Sequence, residues 1–123
     1  MMKIQTKRVY EPANKEDGIR ILVDRIWPRG MTKEQLQADL WLKDAAPSTA
    51  LRTWFGHNRS RWEMFKNRYS SELDAKQHVV NQLLELAAKK RITLLSSARD
   101  TQCNQAVVLK EYLALNSEKG ENE

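Results

Sequence analysis

Residues 19–24 read IRILVD, and residues 92–97 read ITLLSS. Both segments are short, apolar and rich in β-branched side chains, a composition typical of strands that are buried on both faces. Strands of this kind usually belong to a parallel sheet that helices cover. Because a long helical pattern separates the two segments and another follows the second, we predict an α/β fold with a small, largely parallel sheet flanked by helices.

The other strands and the first helices are predicted from weaker local signals. Residues 3–10 alternate imperfectly between apolar and polar side chains and favour a strand, and residues 40–43 are assigned a short one. Two short helices are predicted where N-cap residues precede apolar positions. Their signals are the capping-box pair Thr32 and Gln35 ahead of Leu36, then Ser48 as an N-cap and Gly56 as a stop.

Residues 60–91 carry apolar side chains at spacings of three and four, which predicts a long amphipathic helical region. Ser60 with Glu63 has the spacing of a capping box at its start. The apolar stripe lapses at residues 76–77. The pattern therefore fits either two helices or one bent helix.

The chain of 123 residues is long enough for one domain and too short for two that fold independently. We predict a single domain over residues 1–116 and a flexible acidic tail over residues 117–123, which has no apolar side chain to bury. No apolar run approaches the roughly 20 residues that cross a bilayer, so we expect no membrane partner. Cys103 has no second cysteine to pair with and no signal-like apolar stretch opens the chain, so we expect a cytoplasmic location.

Charged and aromatic side chains crowd residues 24–30 (DRIWPRG), directly after the first buried strand. Arginine grips a carboxylate or phosphate through two parallel hydrogen bonds, so Arg25 and Arg29 are candidate ligand-binding residues. Asp24 is the candidate general acid or base if the protein is an enzyme, a question that the sequence leaves open. The structural alternative is a salt bridge between Asp24 and an arginine that holds the turn.

Residues 96–101 (SSARDT) follow the second buried strand and lead into a final helix over residues 101–115. The simpler alternative to a binding site here is that Asp100 or Thr101 is only the N-cap of this helix and Arg99 a surface charge. If the two buried strands are parallel neighbours, their carboxyl ends lie side by side, which is where α/β sheets bind ligands. We therefore predict that a small anionic ligand, a phosphate or a carboxylate, binds at this edge. The further ligand-binding candidates are Ser97, Arg99 and Asn104. The alternative is a protein-interaction module that catalyses no reaction and in which the polar loop is only structural.

The net charge of +5 raises nucleic acid or another polyanion as an alternative partner. Positive charge is concentrated between Arg52 and Arg68, where five cations accompany one acidic residue and aromatic side chains are interleaved. Proteins that bind single strands stack bases on such aromatics. Helical spacing instead places Trp62, Phe65 and Tyr69 on one core-facing stripe, with the arginines on its flank.

No metal ion or cofactor is predicted. His57 and His78 are far apart in the sequence, and Cys103 has no neighbour at a metal-ligand spacing. The glycine patterns that bind ATP or a nicotinamide cofactor are not found.

The chain resembles the YeaO-like proteins of the domain of unknown function 488 family, over about residues 4–115. The motifs that carry the resemblance are KRVY (residues 7–10), RILVDRIWPRG (20–30), PS-x-x-LR-x-WF (47–55) and TLLSSARD (93–100). The resemblance implies a small bacterial α/β protein whose activity is not established.

The resemblance also bears on the start of the last helix. Members of the broader family look like they place a Cys-His or Asn-His pair there. Asn104 matches the first place, whereas Gln105 stands where a histidine is expected. Because glutamine exchanges no proton near pH 7, the resemblance implies hydrogen bonding at this place rather than imidazole-dependent chemistry.

Overall fold

A four-stranded parallel sheet with the strand order β1-β4-β2-β3 lies at the centre of the described residues. The computed structural model describes residues 3–121, and the side chains of residues 3–117. The strands are β1 (Ile4–Arg8), β2 (Ile19–Leu22), β3 (Leu40–Trp41) and β4 (Ile92–Ser96). The two apolar segments form the central pair, β2 and β4, with Ile19 opposite Ile92 and Leu22 opposite Leu95. The predicted α/β fold and the parallel pairing of these two strands are confirmed.

Five α-helices connect and cover the strands within the described residues. They are α1 (Lys33–Leu36), α2 (Thr49–Phe55), α3 (Trp62–Asp74), α4 (Gln77–Lys89) and α5 (Gln105–Glu121). The lapse in the apolar stripe at residues 76–77 marks the break between α3 and α4, so the region forms two helices. Short 3-10 helices occur at Lys15–Asp17, Lys43–Ala45 and Arg59–Arg61.

The core lies on both faces of the sheet because successive side chains of a strand point to opposite faces. Ile21 and Leu94 belong to the larger cluster, which packs beneath α2 to α5 around Phe65, Tyr69 and Leu109. The smaller cluster on the other face consists of Val9, Leu22, Leu36 and Leu95, with Trp27, Met31, Ala38 and Trp41 packed against it. Residues 21–23 and 92–96 are fully buried, as a strand covered on both faces requires.

The predicted N-caps of α1 and α2 are confirmed, and the predicted N-cap of α3 is wrong. Thr32 caps α1 in a capping box with Gln35, and Ser48 caps α2 by accepting a hydrogen bond from a backbone N–H at 3.1 Å. Ser60 does not cap α3. Its hydroxyl donates to Asn58 Oδ1 at 2.7 Å, and the residues after Asn58 first form a 3-10 helix before α3 begins.

Gly18 and Arg91, the residues that directly precede β2 and β4, are in close contact. Gly18 adopts a positive φ of 67°, and a Cβ at this position would lie 2.1 Å from the carbonyl oxygen of Arg91. The neighbouring N–H of Ile19 donates to the same carbonyl at 2.9 Å. Only glycine allows this approach, which lies next to the first residue pair of the two strands, Ile19 and Ile92.

The last described residues overlap the predicted flexible tail. Helix α5 extends to Glu121, and residues 122–123 lie outside the described residues, as do the side chains from residue 118 onward. The flexible tail over residues 117–123 therefore stays a prediction. Among the described helices, none combines the length and apolar character that crossing a bilayer requires.

Candidate functional site

Asp24 joins the two segments that follow the central strands. One carboxylate oxygen accepts the backbone N–H of Ser97 at 2.8 Å, and the other accepts a hydrogen bond from the side-chain amide of Gln105. Asp24 is buried, with 6% of its surface exposed. It takes part in none of the ion pairs between described residues, so the alternative of a salt bridge between Asp24 and an arginine is wrong.

Tryptophan side chains hold the loop after β2 in place. The indole N–H of Trp41 donates to the carbonyl of Asp24 at 2.7 Å, and that of Trp27 donates to the carbonyl of Met31 at 2.6 Å. The two indole rings meet edge to face, with centroids 5.3 Å apart. On the other side of the loop, the Tyr10 hydroxyl donates to a loop carbonyl at 3.0 Å. These contacts, rather than an ion pair, fix the position of the loop.

A cavity of about 660 Å³ opens where β2 and β4 end. The loop over residues 24–29 forms one wall, the segment over residues 97–100 another, and α2 contributes a third. Five of the side chains that the sequence singled out line this cavity together: Asp24, Arg25, Arg29, Ser97 and Arg99. The expected meeting of the two strand-end segments is therefore confirmed.

The charges that line the cavity are predominantly positive. Its four arginines are Arg25, Arg29, Arg52 and Arg99, and none of them takes part in the ion pairs between described residues. The guanidinium of Arg25 lies 3.4 Å from the carbonyl oxygen of Pro47, at the outer limit of a hydrogen bond. Both carboxylates at the cavity already have partners: Asp24 accepts hydrogen bonds from Ser97 and Gln105, which also line the cavity, and Asp100 forms an ion pair with Arg59.

The pair of Asp100 and Arg59 is bidentate, with N–H···O distances of 2.7 and 2.9 Å. The hydrogen bonds from the Arg59 guanidinium lower the pKa of Asp100 from its ordinary 3.8 to about 2. The same pairing raises the pKa of Arg59. Because Asp100 is ionised and paired across the physiological range, its charge does not offset that of the cavity arginines.

Asn104 lies outside this cavity. Its side-chain oxygen accepts the backbone N–H of Val107 at 3.1 Å, and its amide donates to the carbonyl of Asp100 at 2.8 Å. Asn104 is thus the residue that caps α5, and the alternative of an N-cap at Asp100 or Thr101 is wrong. The helix begins later because Asp100 accepts two backbone N–H groups, from Gln102 and Cys103, in a turn of its own. Asn104 borders a separate polar cleft of about 190 Å³.

Arg52 and Gln105 are cavity residues whose role sequence reasoning missed. The sequence places Arg52 only in the basic segment, and the resemblance draws attention to Gln105 only because it replaces a histidine. A usable signal existed for Arg52: it lies three residues before the buried Phe55 on α2, so both side chains share one helix face. No local signal pointed from Gln105 to Asp24, because 81 residues separate them.

The basic segment packs largely against its own aromatics. The guanidinium groups of Arg61 and Arg68 lie 5.2 and 4.2 Å from the ring centre of Trp54. Phe65 and Tyr69 are buried in the core, which confirms the core-stripe interpretation of their spacing. No group of three or more His, Cys, Asp or Glu side chains among the described residues is arranged to hold a metal ion.

Comparisons with known proteins define the family. The family described as the inactive DUF488-N3 subclade matches residues 3–123. The chain belongs to this family. Among similar proteins, the uncharacterized protein YeaO of Escherichia coli K12 is 45% identical over 112 residues, which cover 91% of this chain and 97% of that protein. The uncharacterized protein Rv3073c of Mycobacterium tuberculosis H37Rv is 36% identical over 111 residues, which cover 90% of this chain and 93% of that protein. No solved structure matches. The resemblance that the sequence motifs suggested is confirmed.

Proposed function

We propose that this protein binds a small anionic ligand, a phosphate or a carboxylate, in the cavity at the ends of β2 and β4. The observation that carries the proposal is a cavity with four arginines that form no ion pairs there, beside carboxylates that are already occupied. Arg29, Arg52 and Arg99 are exposed, so an anion entering the cavity can reach their guanidinium groups without displacing a carboxylate.

Arginine suits this task because its planar guanidinium donates two parallel hydrogen bonds to the oxygens of a carboxylate or phosphate. Several guanidinium groups around one concave surface also focus a positive potential, which attracts anions from solution. Ser97 would add its hydroxyl group, since its backbone N–H is already used by Asp24. We assign Arg25, Arg29, Arg52 and Arg99 to the ligand, and Ser97 to its orientation.

We propose binding without turnover. If the protein were an enzyme, Asp24 would be the acid or base, yet both of its oxygens already accept hydrogen bonds from protein donors. Gln105 cannot relay a proton near neutral pH. The description of the subclade as inactive agrees with this interpretation. Asp24 is then a positioning residue that joins the two loops, and Asn104 acts on α5 rather than on the ligand.

The test is a thermal shift assay of the whole chain against a panel of phosphorylated and carboxylated metabolites. A ligand at about 100 times its Kd stabilises a protein by about 2.7 kcal/mol, which is several degrees in Tm. Arg29→Ala should weaken binding about tenfold or more and reduce the shift. Arg68→Ala is the matched control, since it removes the same charge outside the cavity. An unchanged shift in Arg29→Ala would remove this residue from the site, and no shift with any anion would overturn the proposal.

Nucleic-acid binding through the segment from Arg52 to Arg68 is the alternative. It is supported by the exposed arginines of this segment, but the guanidinium groups of Arg61 and Arg68 already lie over the ring of Trp54, and a stacking base would have to compete with them. This alternative predicts the opposite pair of effects: Arg68→Ala should weaken binding and Arg29→Ala should not. It also predicts a steep fall in affinity with salt, set by the number of phosphates neutralised. No binding of DNA or RNA at low salt would end it.

A further inference from the structure

The floor of the cavity is apolar although its rim is charged. Ala46, Phe55, Phe65 and Ala98 lie at its base and are each at most 8% exposed. Most of the apolar surface that a ligand can reach therefore belongs to Tyr10 and Ile26, which also line the cavity and are 46% and 57% exposed. The rings of Phe55 and Phe65 stack with their centroids 4.3 Å apart. A bare phosphate or acetate ion would gain nothing from such a surface, because it is the transfer of apolar groups from water that apolar walls favour.

The size of the cavity points in the same direction. Its volume of about 660 Å³ lies within the range of roughly 300–1,000 Å³ that pockets for organic ligands occupy. A single oxyanion held by the arginines would leave most of that volume to water. The guanidinium of Arg25 lies next to the floor, 3.4 and 3.5 Å from the carbonyl oxygens of Pro47 and Ala46. Charged and apolar recognition are thus adjacent within one cavity.

We propose that the ligand is an amphiphilic anion: one phosphate or carboxylate group joined to an apolar body at least as large as an aromatic ring. This inference rests on the proposed function and names the ligand class for the same site. The oxyanion meets the guanidinium groups of the rim, and the apolar body lies over Ala98 at the base and against the exposed side chains of Tyr10 and Ile26. Inorganic anions and short carboxylates are then poor ligands, because they contact the guanidinium groups but leave the apolar surface of the cavity in water.

The experiment is isothermal titration calorimetry of the whole wild-type chain with a matched series of probes. The pairs are phenyl phosphate against inorganic phosphate and phenylacetate against acetate, with benzyl alcohol as the uncharged control. We expect each aromatic anion to bind at least tenfold more tightly than its small counterpart, and the alcohol to bind more weakly than either aromatic anion. The two pairs also show whether phosphate or carboxylate is preferred.

A variant that fills part of the cavity provides a second test of the apolar contact. Ala98→Val adds two methyl groups at the floor and should weaken phenyl phosphate about tenfold while leaving inorganic phosphate within twofold. Ala114→Val, on the exposed side of α5, is the control and should change neither. The comparison within the wild type needs no variant, so a misfolded Ala98→Val would not leave the question open.

The outcomes separate the two proposals. Equal affinity for phenyl and inorganic phosphate, with both lost in Arg29→Ala, would overturn the apolar body and leave anion binding standing. Tighter binding of benzyl alcohol than of phenyl phosphate would overturn the anionic part. No binding of any anion in the series would overturn both.

Discussion

Asp24 uses both carboxylate oxygens to connect segments that are distant in the chain. Its position after a buried strand made it a candidate site residue from the sequence alone. Its partners were not predictable in the same way, because Ser97 and Gln105 lie 73 and 81 residues further along the chain. The sequence offered an arginine of the same loop as an alternative partner, but the Arg25 guanidinium lies instead beside the carbonyl oxygens of Ala46 and Pro47.

Replacing Asp24 with alanine should destabilise the fold. The substitution leaves the Ser97 N–H and the Gln105 amide without their acceptor, which costs about 1–3 kcal/mol for partly buried donors. Urea unfolding measures this cost. Asp44→Ala, at an exposed position, is the control and should lie within about 0.5 kcal/mol of the wild type. Equal free energies of unfolding for the two variants would contradict the connecting role of Asp24.

The ion pair between Asp100 and Arg59 predicts a pH-dependent contribution to stability. The pKa of Asp100 in the folded protein, about 2, lies below its ordinary value of 3.8. The pair therefore stabilises the fold fully above pH 3.8, and its contribution is lost as the pH falls through about 2. The difference in free energy of unfolding between wild type and Asp100→Asn should be constant at higher pH and shrink across this window.

Two controls accompany this measurement. Because the Arg59 side chain is largely exposed, at 61%, added salt should also reduce the difference. In an Arg59→Ala background the pH dependence of the difference should largely disappear. A difference that stays constant down to pH 2 would show that the pairing does not lower the pKa of Asp100.

At the scale of elements, local signals succeeded where the deciding contacts were also local. Helix α1 begins after Thr32, and helix α2 begins after Ser48 and ends before Gly56, as predicted. These signals succeed because a cap or stop depends on residues within one turn. The starts of α3 and α5 were wrong for a related reason. In each case an Asn or Asp upstream, Asn58 or Asp100, forms its own turn with nearby N–H groups and delays the helix.

The cap of α5 can be tested with a pair of substitutions. Asn104→Ala removes the acceptor of the Val107 N–H and the donor to the Asp100 carbonyl, so it should cost about 1 kcal/mol, within the usual 0.5–2 kcal/mol for a cap. Thr101→Ala should cost less than about 0.5 kcal/mol, because Thr101 is exposed and does not cap the helix. Chemical denaturation compares the two. The reverse order would restore the N-cap at Thr101 that the sequence suggested.

At the scale of the whole molecule, the candidate site follows from the parallel order of the sheet. Because β2 and β4 are parallel neighbours, the residues after them converge at one edge, and the sequence was sufficient to predict that Arg25, Arg29 and Arg99 meet there. Arg52 and Gln105 reach the same place on α2 and α5. How these helices pack on the sheet depends on the assembled core, which no local pattern encodes.

The central claim is that the two strand-end loops form one anion-binding cavity, and amide chemical shifts test it most directly. Uniformly ¹⁵N-labelled protein is titrated with phenyl phosphate, and the shift change of each backbone amide is recorded. The account predicts that the largest changes occur together in residues 24–30 and 97–100 and saturate along one binding curve. Changes centred on residues 59–68, or confined to only one of the two loops, would contradict it.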